Sequence, residues 1–339
     1  MSQQFPEWLD RLKAKRDLTA DQMRSSIAWM LSGEADEASI REFLVLHAQK
    51  GETADELAGA AAALRDSMHR LSVSERPIID TCGTGGDGAK TFNISTAAAI
   101  AIAACGVRVA KHGNRKITSS TGSADVLAEL GINLEAAPEV AERCLETVGI
   151  CFCFAPLFHP AMRHVGPVRR SIEHPTIFNR LGPLANPAGA ECQVLGVGDP
   201  KLTKSMALAL AQLGTGRSIV VRGEDGVDEV SLSAPTSVIE VTDGGIEHRT
   251  WTPSDFGIET ASRDGLYADD PASSADCIRR VFSGEQGPMR DVVVLNAAAG
   301  LWIAGKSDSL KQCAELVGQA IDSGKAESVV RRLGEETNQ

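Results

Sequence analysis

The first seventy residues carry apolar side chains at helical spacing. Met23, Ile27, Met30 and Leu31 follow Thr19-Ala20-Asp21-Gln22, a hydroxyl with glutamine three residues on that reads as a capping box, and the run stops at Gly33. A second helix is expected from about Ser39 to Gln49. A third opens at Thr53-Ala54-Asp55-Glu56 and carries Leu57, Ala61, Leu64 and Met68 before a linker over Arg70 to Arg76. Residues 7 to 70 thus predict a small all-helical unit.

From Pro77 the pattern changes to short β-branched runs alternating with helical stretches. Ile78-Ile79-Asp80 is followed by a glycine-rich loop, an alanine-rich helix ending near Gly106, and Val107-Arg108-Val109-Ala110. Later strand candidates are 150–154, 193–197, 218–221, 237–241 and Val292 to Leu295. This order predicts the α/β class, a small all-helical domain plus a larger α/β domain with a mostly parallel central sheet. A stretch rich in proline, histidine and arginine between Phe158 and Pro187 interrupts the alternation, so the chain is expected to leave the sheet there and return. The expected division is 1–76 with a returning segment at about 163–186 for the helical domain, and 77–162 with 187–339 for the α/β domain.

A chain of 339 residues exceeds what one hydrophobic core usually serves, which supports two domains. Only 4% of residues are aromatic, while alanine and glycine are abundant, which favours close helix and sheet packing. With 34 basic against 45 acidic residues and a net charge of -11, no broad cationic surface is available for a nucleic-acid backbone; a polyanionic ligand needs a local site. Eight scattered cysteines without a CxxC pair fit neither a zinc cluster nor a secreted disulfide scaffold. The N-terminus has no basic and apolar leader, and Ala97 to Ala104 is too short for a bilayer, so a cytoplasmic protein without membrane association is expected.

Three segments carry chemistry. Ile78-Ile79-Asp80 runs into Gly83-Thr84-Gly85-Gly86-Asp87-Gly88, and Phe92-Asn93-Ile94-Ser95-Thr96 then opens a helix. Strand, glycine loop and helix N-terminus together form an anion-binding arrangement, because glycines let backbone N–H groups approach a phosphate and the helix dipole adds positive charge. A nucleotide-triphosphate loop is missed by one residue, Ala89, which displaces Lys90 and Thr91 from the positions that meet phosphate and magnesium. A dinucleotide fingerprint fits Gly83, Gly85 and Gly88, but the helix begins too late and no acidic residue follows at the usual distance. Second, Lys111-His112-Gly113-Asn114-Arg115-Lys116, followed by hydroxyls up to Ser123, reads as a polar loop with cations suited to a phosphorylated ligand. Third, Asp225-Gly226-Val227-Asp228-Glu229 offers adjacent carboxylates, hard oxygen ligands for a magnesium ion shared with substrate phosphates.

Together GTGGDG, NIST, KHGNR with the following GSADVL, and DGVDE resemble the motifs of the anthranilate phosphoribosyltransferase family of tryptophan biosynthesis. The resemblance extends to Phe154-Ala155-Pro156-Leu157-Phe158-His159-Pro160, Thr176-Ile177-Phe178-Asn179, Leu181-Gly182-Pro183-Leu184 and Asn296-Ala297-Ala298-Ala299. It implies transfer of phosphoribosyl from 5-phosphoribosyl 1-diphosphate to the anthranilate amine, in a hinged cleft of the architecture shared with nucleoside phosphorylases. Magnesium, two ions per monomer, and a homodimer joined through the helical domain are implied with it. At diphosphate-sugar positions fall Gly83, Gly86, Asp87, Thr91, Asn93, Ile94, Ser95 and Thr96, and on the next loop Lys111, His112, Gly113, Asn114, Arg115, Ser119 and Ser123. At magnesium positions fall Ser95, Asp228 and Glu229; at anthranilate positions Gly83, Asn114, Arg169, His112, Gly182 and Pro183. The resemblance assigns no general base, since an aromatic amine is already neutral at pH 7. Pro175, Arg180, Lys116 and Ser120 depart from the family pattern, mostly on the acceptor side. A pyrimidine nucleoside phosphorylase-like enzyme and a non-catalytic nucleic-acid-binding relative are the alternatives; GTGGDG, the acidic pair and the negative net charge oppose them.

Overall fold

The computed structural model describes residues 4–86, 88–115 and 121–339. It opens with four helices, α1 (Phe5–Lys13), α2 (Ala20–Ser32), α3 (Glu37–Lys50) and α4 (Ala54–Asp66). In α1, Phe5, Trp8, Leu9 and Leu12 lie on one stripe and are buried. Thr19 caps α2 in a reciprocal box with Gln22, and Gly33 closes the helix at φ 83°. The Thr53–Glu56 box starts α4 in the same way. Glu56 also reaches out of its box to accept from Leu18 N at 2.9 Å and Lys50 Nζ at 2.8 Å, all within a buried environment. α2 and α4 touch backbone to backbone, since a Cβ on Gly59 would lie 2.1 Å from the Ala20 carbonyl oxygen.

The next segment winds β1 (Ile78–Gly83), α5 (Ile94–Ala104), β2 (Arg108–Gly113), α6 (Ser123–Glu129), α7 (Pro138–Thr147) and β3 (Ile150–Phe154). After the short helices α8 (Ala155–Phe158), α9 (Gly166–Arg170) and α10 (Phe178–Leu181) come β4 (Cys192–Gly196), α11 (Thr203–Gln212), β5 (Arg217–Gly223), β6 (Thr236–Thr242) and β7 (Gly245–Trp251). α12 (Pro271–Phe282), α13 (Pro288–Ile303), α14 (Leu310–Asp322) and α15 (Lys325–Thr337) complete the chain. The sheet order is β3-β2-β1-β4-β5-β6-β7, parallel from β3 to β5 and antiparallel beyond. Winding reverses between β1 and β4, and ligands of such sheets bind outside the strand C-termini at that point.

Alternate strand residues serve two apolar layers. Ile79, Val194, Ile219 and Val238 pack with α5 and α13, whereas Leu195, Val220 and Ile239 pack with α11 and the helices α1 to α4. Alanines of α5 permit the close approach of α13, where a Cβ on Gly300 would lie 2.4 Å from Ile102 Cδ1. Val165, Val168, Phe178, Leu181 and Leu184 bury against the second layer, beside the N-terminal helices.

Two expectations are corrected, and one strand is additional to those expected. Val292 to Leu295 is helical, within α13; Val292 to Ile303 are all buried, so the run lacks the one-sided period that separates helix from strand. Lys111 and His112 belong to β2 rather than to a loop, and both are buried. β7 was not anticipated, because Glu247, His248 and Arg249 are exposed on this edge strand and no apolar alternation marks it.

Candidate active site

At the C-terminal end of β1 the chain enters the glycine loop. Gly85, Gly86 and Gly88 adopt φ of 64°, 82° and 71°, a region open to glycine at no steric cost. Thr84 N donates to Gly196 O at 2.9 Å, and Gly85 N donates to Asp228 Oδ2 at 3.1 Å. Gly83 and Gly196 make room for this strut: a Cβ on the first would lie 2.5 Å from Asp228 Oδ2, and on the second 1.6 Å from Asp228 O. The Asp228–Glu229 turn is braced from α13 by buried Asn296, whose Oδ1 accepts from Val230 N at 2.9 Å while its Nδ2 donates to Val230 O at 3.0 Å.

Asn93 ties the start of α5 to its surroundings. Its Oδ1 accepts from Thr121 Oγ1 at 2.6 Å and from Ser274 Oγ at 2.9 Å, joining the glycine loop to the 121 loop and α12. Lys111 reaches back from β2 to donate to Thr81 O at 2.5 Å and Ser95 Oγ at 3.4 Å. Burial lowers its pKa from the ordinary lysine value, against the upward pull of Asp80 and Glu229. Asp80, fully buried on β1, accepts from His112 N at 3.1 Å and Asn186 Nδ2 at 2.8 Å, which fixes β2 to the segment returning into β4.

These elements enclose a cavity of about 660 Å³ lined by Gly83, Gly86, Thr91, Asn93, Ser95, Lys111, His112, Gly113, Asn114, Arg115, Ser123, Asp228 and Glu229. Ile94 and Thr96, expected beside them, do not line it. Each is turned about 100° from Ser95 on α5 and buried in the core. Asp87, Ser119, Lys116 and Ser120 lie outside the described residues. Lys90 and Asp269 also line the cavity, and sequence reasoning gave neither a role.

A second cavity, about 620 Å³, adjoins the first along Gly83, Thr84, His112, Gly113 and Asn114. Its other wall brings Arg163, Arg169, Arg170, Phe178, Gly182 and Pro183 from the 160–183 segment. The Arg169 guanidinium sits 5.2 Å from the centre of the Phe178 ring. Burial, with the nearby Arg170 charge, lowers the Arg169 pKa to about 10, so it remains a cation at neutral pH. His112 Nδ1 donates to Gly182 O at 2.8 Å, and its Nε2 lies 3.1 Å from His159 Nε2. Burial holds both imidazoles below the usual histidine range, His159 at about 3. The Gly182 carbonyl keeps the His112 proton on Nδ1, so the His112 Nε2 lone pair is turned toward His159 Nε2. The signal for His159 was its place in Phe154 to Pro160; for Asp80, a carboxylate ending an apolar strand.

The geometry describes a two-chambered cleft, one chamber rich in hydroxyls, glycine backbone and carboxylates, the other cationic and aromatic. Residues 75–327 match the family profile described as glycosyl transferase family, a/b domain, and residues 6–68 match the glycosyl transferase family, helical bundle domain. The class is thus a glycosyl transferase of helical bundle and α/β domain. The chain is 48% identical over 331 residues to the anthranilate phosphoribosyltransferase of Rhodopirellula baltica, covering 98% of this chain and 97% of that one. It superposes with a TM-score of 0.91 on the crystal structure of anthranilate phosphoribosyltransferase from Thermus thermophilus, 40% identical, covering 98% of this chain and 99% of that one. A Saccharomyces cerevisiae anthranilate phosphoribosyltransferase solved in complex with PRPP and Mg, 25% identical, also gives 0.91, with 100% and 99% covered. The chain belongs to the anthranilate phosphoribosyltransferase family. Neither the phosphorylase-like nor the nucleic-acid-binding alternative gains support from these relatives. Among the described residues, no helix is long and apolar enough to cross a membrane.

Proposed function

We propose that this chain transfers the phosphoribosyl group of 5-phosphoribosyl 1-diphosphate to the amino group of anthranilate and releases pyrophosphate, the second step of tryptophan biosynthesis from chorismate. The observation that carries this reading is the meeting of two chemically opposite cavities along Gly83, Thr84, His112 and Asn114. The donor's phosphates suit the first, where the glycine loop, Asn93, the α5 N-terminus, Ser123 and Lys111 present N–H, hydroxyl and ammonium groups. Anthranilate suits the second, with Arg169 facing its carboxylate and Asn114, Gly182 and Pro183 bordering the ring.

Ser95, Asp228 and Glu229 supply hard oxygens that suit magnesium. Among the described residues no cluster of three or more His, Cys, Asp or Glu could hold a metal by itself. Bound at Ser95, Asp228 and Glu229, magnesium supplies neutralising charge for the departing pyrophosphate. The chain's own residues do the rest by position and charge. Asp228 both faces the cavity and struts the glycine loop, and Asn296 holds the Asp228 turn in place. The amine attacks the anomeric carbon as the bond to pyrophosphate breaks, and its surplus proton passes to solvent or pyrophosphate. Neither histidine of the neutral pair is offered as the base, because their Nε2 atoms face each other. Closure of the cleft over the substrates would exclude water.

The test is loss of anthranilate fluorescence on adding 5-phosphoribosyl 1-diphosphate and Mg²⁺ to the purified chain. No consumption by the wild type sinks the reading. The D228N/E229Q double variant should abolish magnesium-dependent turnover while melting close to wild type, and unchanged activity sinks the metal assignment. Equilibrium dialysis with the donor present is expected to find two ions per chain. Sedimentation is expected at twice the 35.8 kDa chain mass, for a homodimer joined through α1 to α4.

A further inference from the structure

We infer that Lys90 is an additional phosphate-binding residue of the donor cavity, its backbone clamped in the left-handed region by the segment before α12; this rests on the donor assignment above. Lys90 has φ 54°. Most residues with a Cβ are disfavoured there; glycine takes the conformation freely and asparagine more readily than lysine. Lys15, the other described non-glycine residue with positive φ, follows the end of α1, where left-handed residues are common. Lys90 is at no helix end.

What holds it is a short antiparallel ladder. Ala268 N donates to Lys90 O at 3.0 Å, Phe92 N donates to Leu266 O at 2.8 Å, and Thr91 bridges Tyr267 between them. The surroundings thus over-determine the backbone on both sides of Thr91, the condition under which strain persists at a working site. The lysine that bears this strain is exposed and lines the donor cavity beside Gly88 and Thr91.

Charge explains why a cation is useful there. The donor is polyanionic and the cavity already carries Asp228, Glu229 and, on the same rim, Asp269. Lys111 is buried and already gives two of its three ammonium protons to Thr81 O and Ser95 Oγ. Arg115 is engaged with Asp125 at 3.5 Å and Glu135 at 3.8 Å. Lys90 has no salt bridge among the described residues, and its long side chain can turn to a phosphate at the mouth.

The test separates charge from strain. K90G removes the charge and relieves the backbone, K90Q removes the charge and keeps the strain, and K90R keeps both. Calorimetric titration of the donor with Mg²⁺, at low and high salt, should give about three- to tenfold weaker binding for K90G and K90Q, with K90R within about twofold of wild type. The loss should shrink at high salt. K90G should melt at or above the wild-type temperature, opposite in sign to a structural role. Pyrophosphate weakened in parallel places Lys90 on the diphosphate; ribose 5-phosphate weakened instead places it on the sugar phosphate. Wild-type donor affinity in K90G and K90Q overturns the inference. Absence of donor binding by the wild type overturns the functional reading on which it rests.

Discussion

Replacing Gly196 by alanine tests how the site is built. The new Cβ would lie 1.6 Å from the Asp228 carbonyl oxygen, where carbon and oxygen normally come to rest at about 3.3 Å. Roughly 1.7 Å of separation must be found. β4 cannot give it, because Gly196 is paired with Gly83 of β1 on one side and Val221 of β5 on the other. The displacement therefore falls on the Asp228 turn, and with it goes the 3.1 Å bond from Gly85 N to Asp228 Oδ2 that struts the glycine loop. Misplacing a reacting constellation by about 1 Å costs on the order of 100-fold. Overpacking costs on the order of 1–3 kcal/mol of stability, less than the roughly 5–15 kcal/mol typical of a native protein. Initial rates of anthranilate consumption across a magnesium titration should therefore fall by about 100-fold, with a higher magnesium requirement. Gly244→Ala is the control, since its nearest neighbour, Thr242 Oγ1, is 3.5 Å away in an exposed turn. A Gly196→Ala enzyme within about threefold of wild type, with the same magnesium dependence, would refute this account of the strut.

Two further perturbations probe the second cavity and the helical bundle. Arg169→Ala should raise the anthranilate KM by roughly 10- to 100-fold, the worth of a charged hydrogen bond, and move the donor KM little; equal rises would remove Arg169 from the acceptor wall. Burial pushes the Glu56 carboxyl upward, but His47, Lys50 and Leu18 N–H outweigh it and leave its pKa at about 2, against an ordinary 4.5. A depressed pKa means stabilisation that is complete above pH 4.5 and lost as pH falls through 2, worth about 3 kcal/mol. Urea titrations should show Glu56→Gln weaker than wild type by about that amount at pH 7, with the gap narrowing below pH 4.5; a gap that stays constant to pH 3 contradicts the linkage.

Much of the frame is local and could be read directly. The Thr19 and Thr53 boxes and Gly33 set helix ends through hydrogen bonds and backbone preferences spanning a few residues, and they appear where the pattern placed them. The β1 strand with its glycine loop was legible for the same reason. Reading failed where burial is two-sided or absent. α13 is apolar all round and resembled a strand, and β7 is polar along its exposed length and resembled nothing. Ile94 and Thr96 share a motif with Ser95, and helical rotation turns their side chains into the core, so only their backbone is left to serve an anion at the start of α5.

Residue types within a few positions of one another therefore determined the chemistry on offer: glycines before a helix, a lysine and asparagine at a strand end, a paired carboxylate. Only the tertiary structure decided which of them meet. Asp228 reaches the glycine loop because Gly83 and Gly196, from two different strands, leave it room. His112 faces His159, and Lys90 is held left-handed by Leu266 to Ala268, across separations that no local pattern encodes. The physical reason is that steric clearance and hydrogen-bond pairing across a sheet depend on strand order and register, and those are settled by the global packing of the chain.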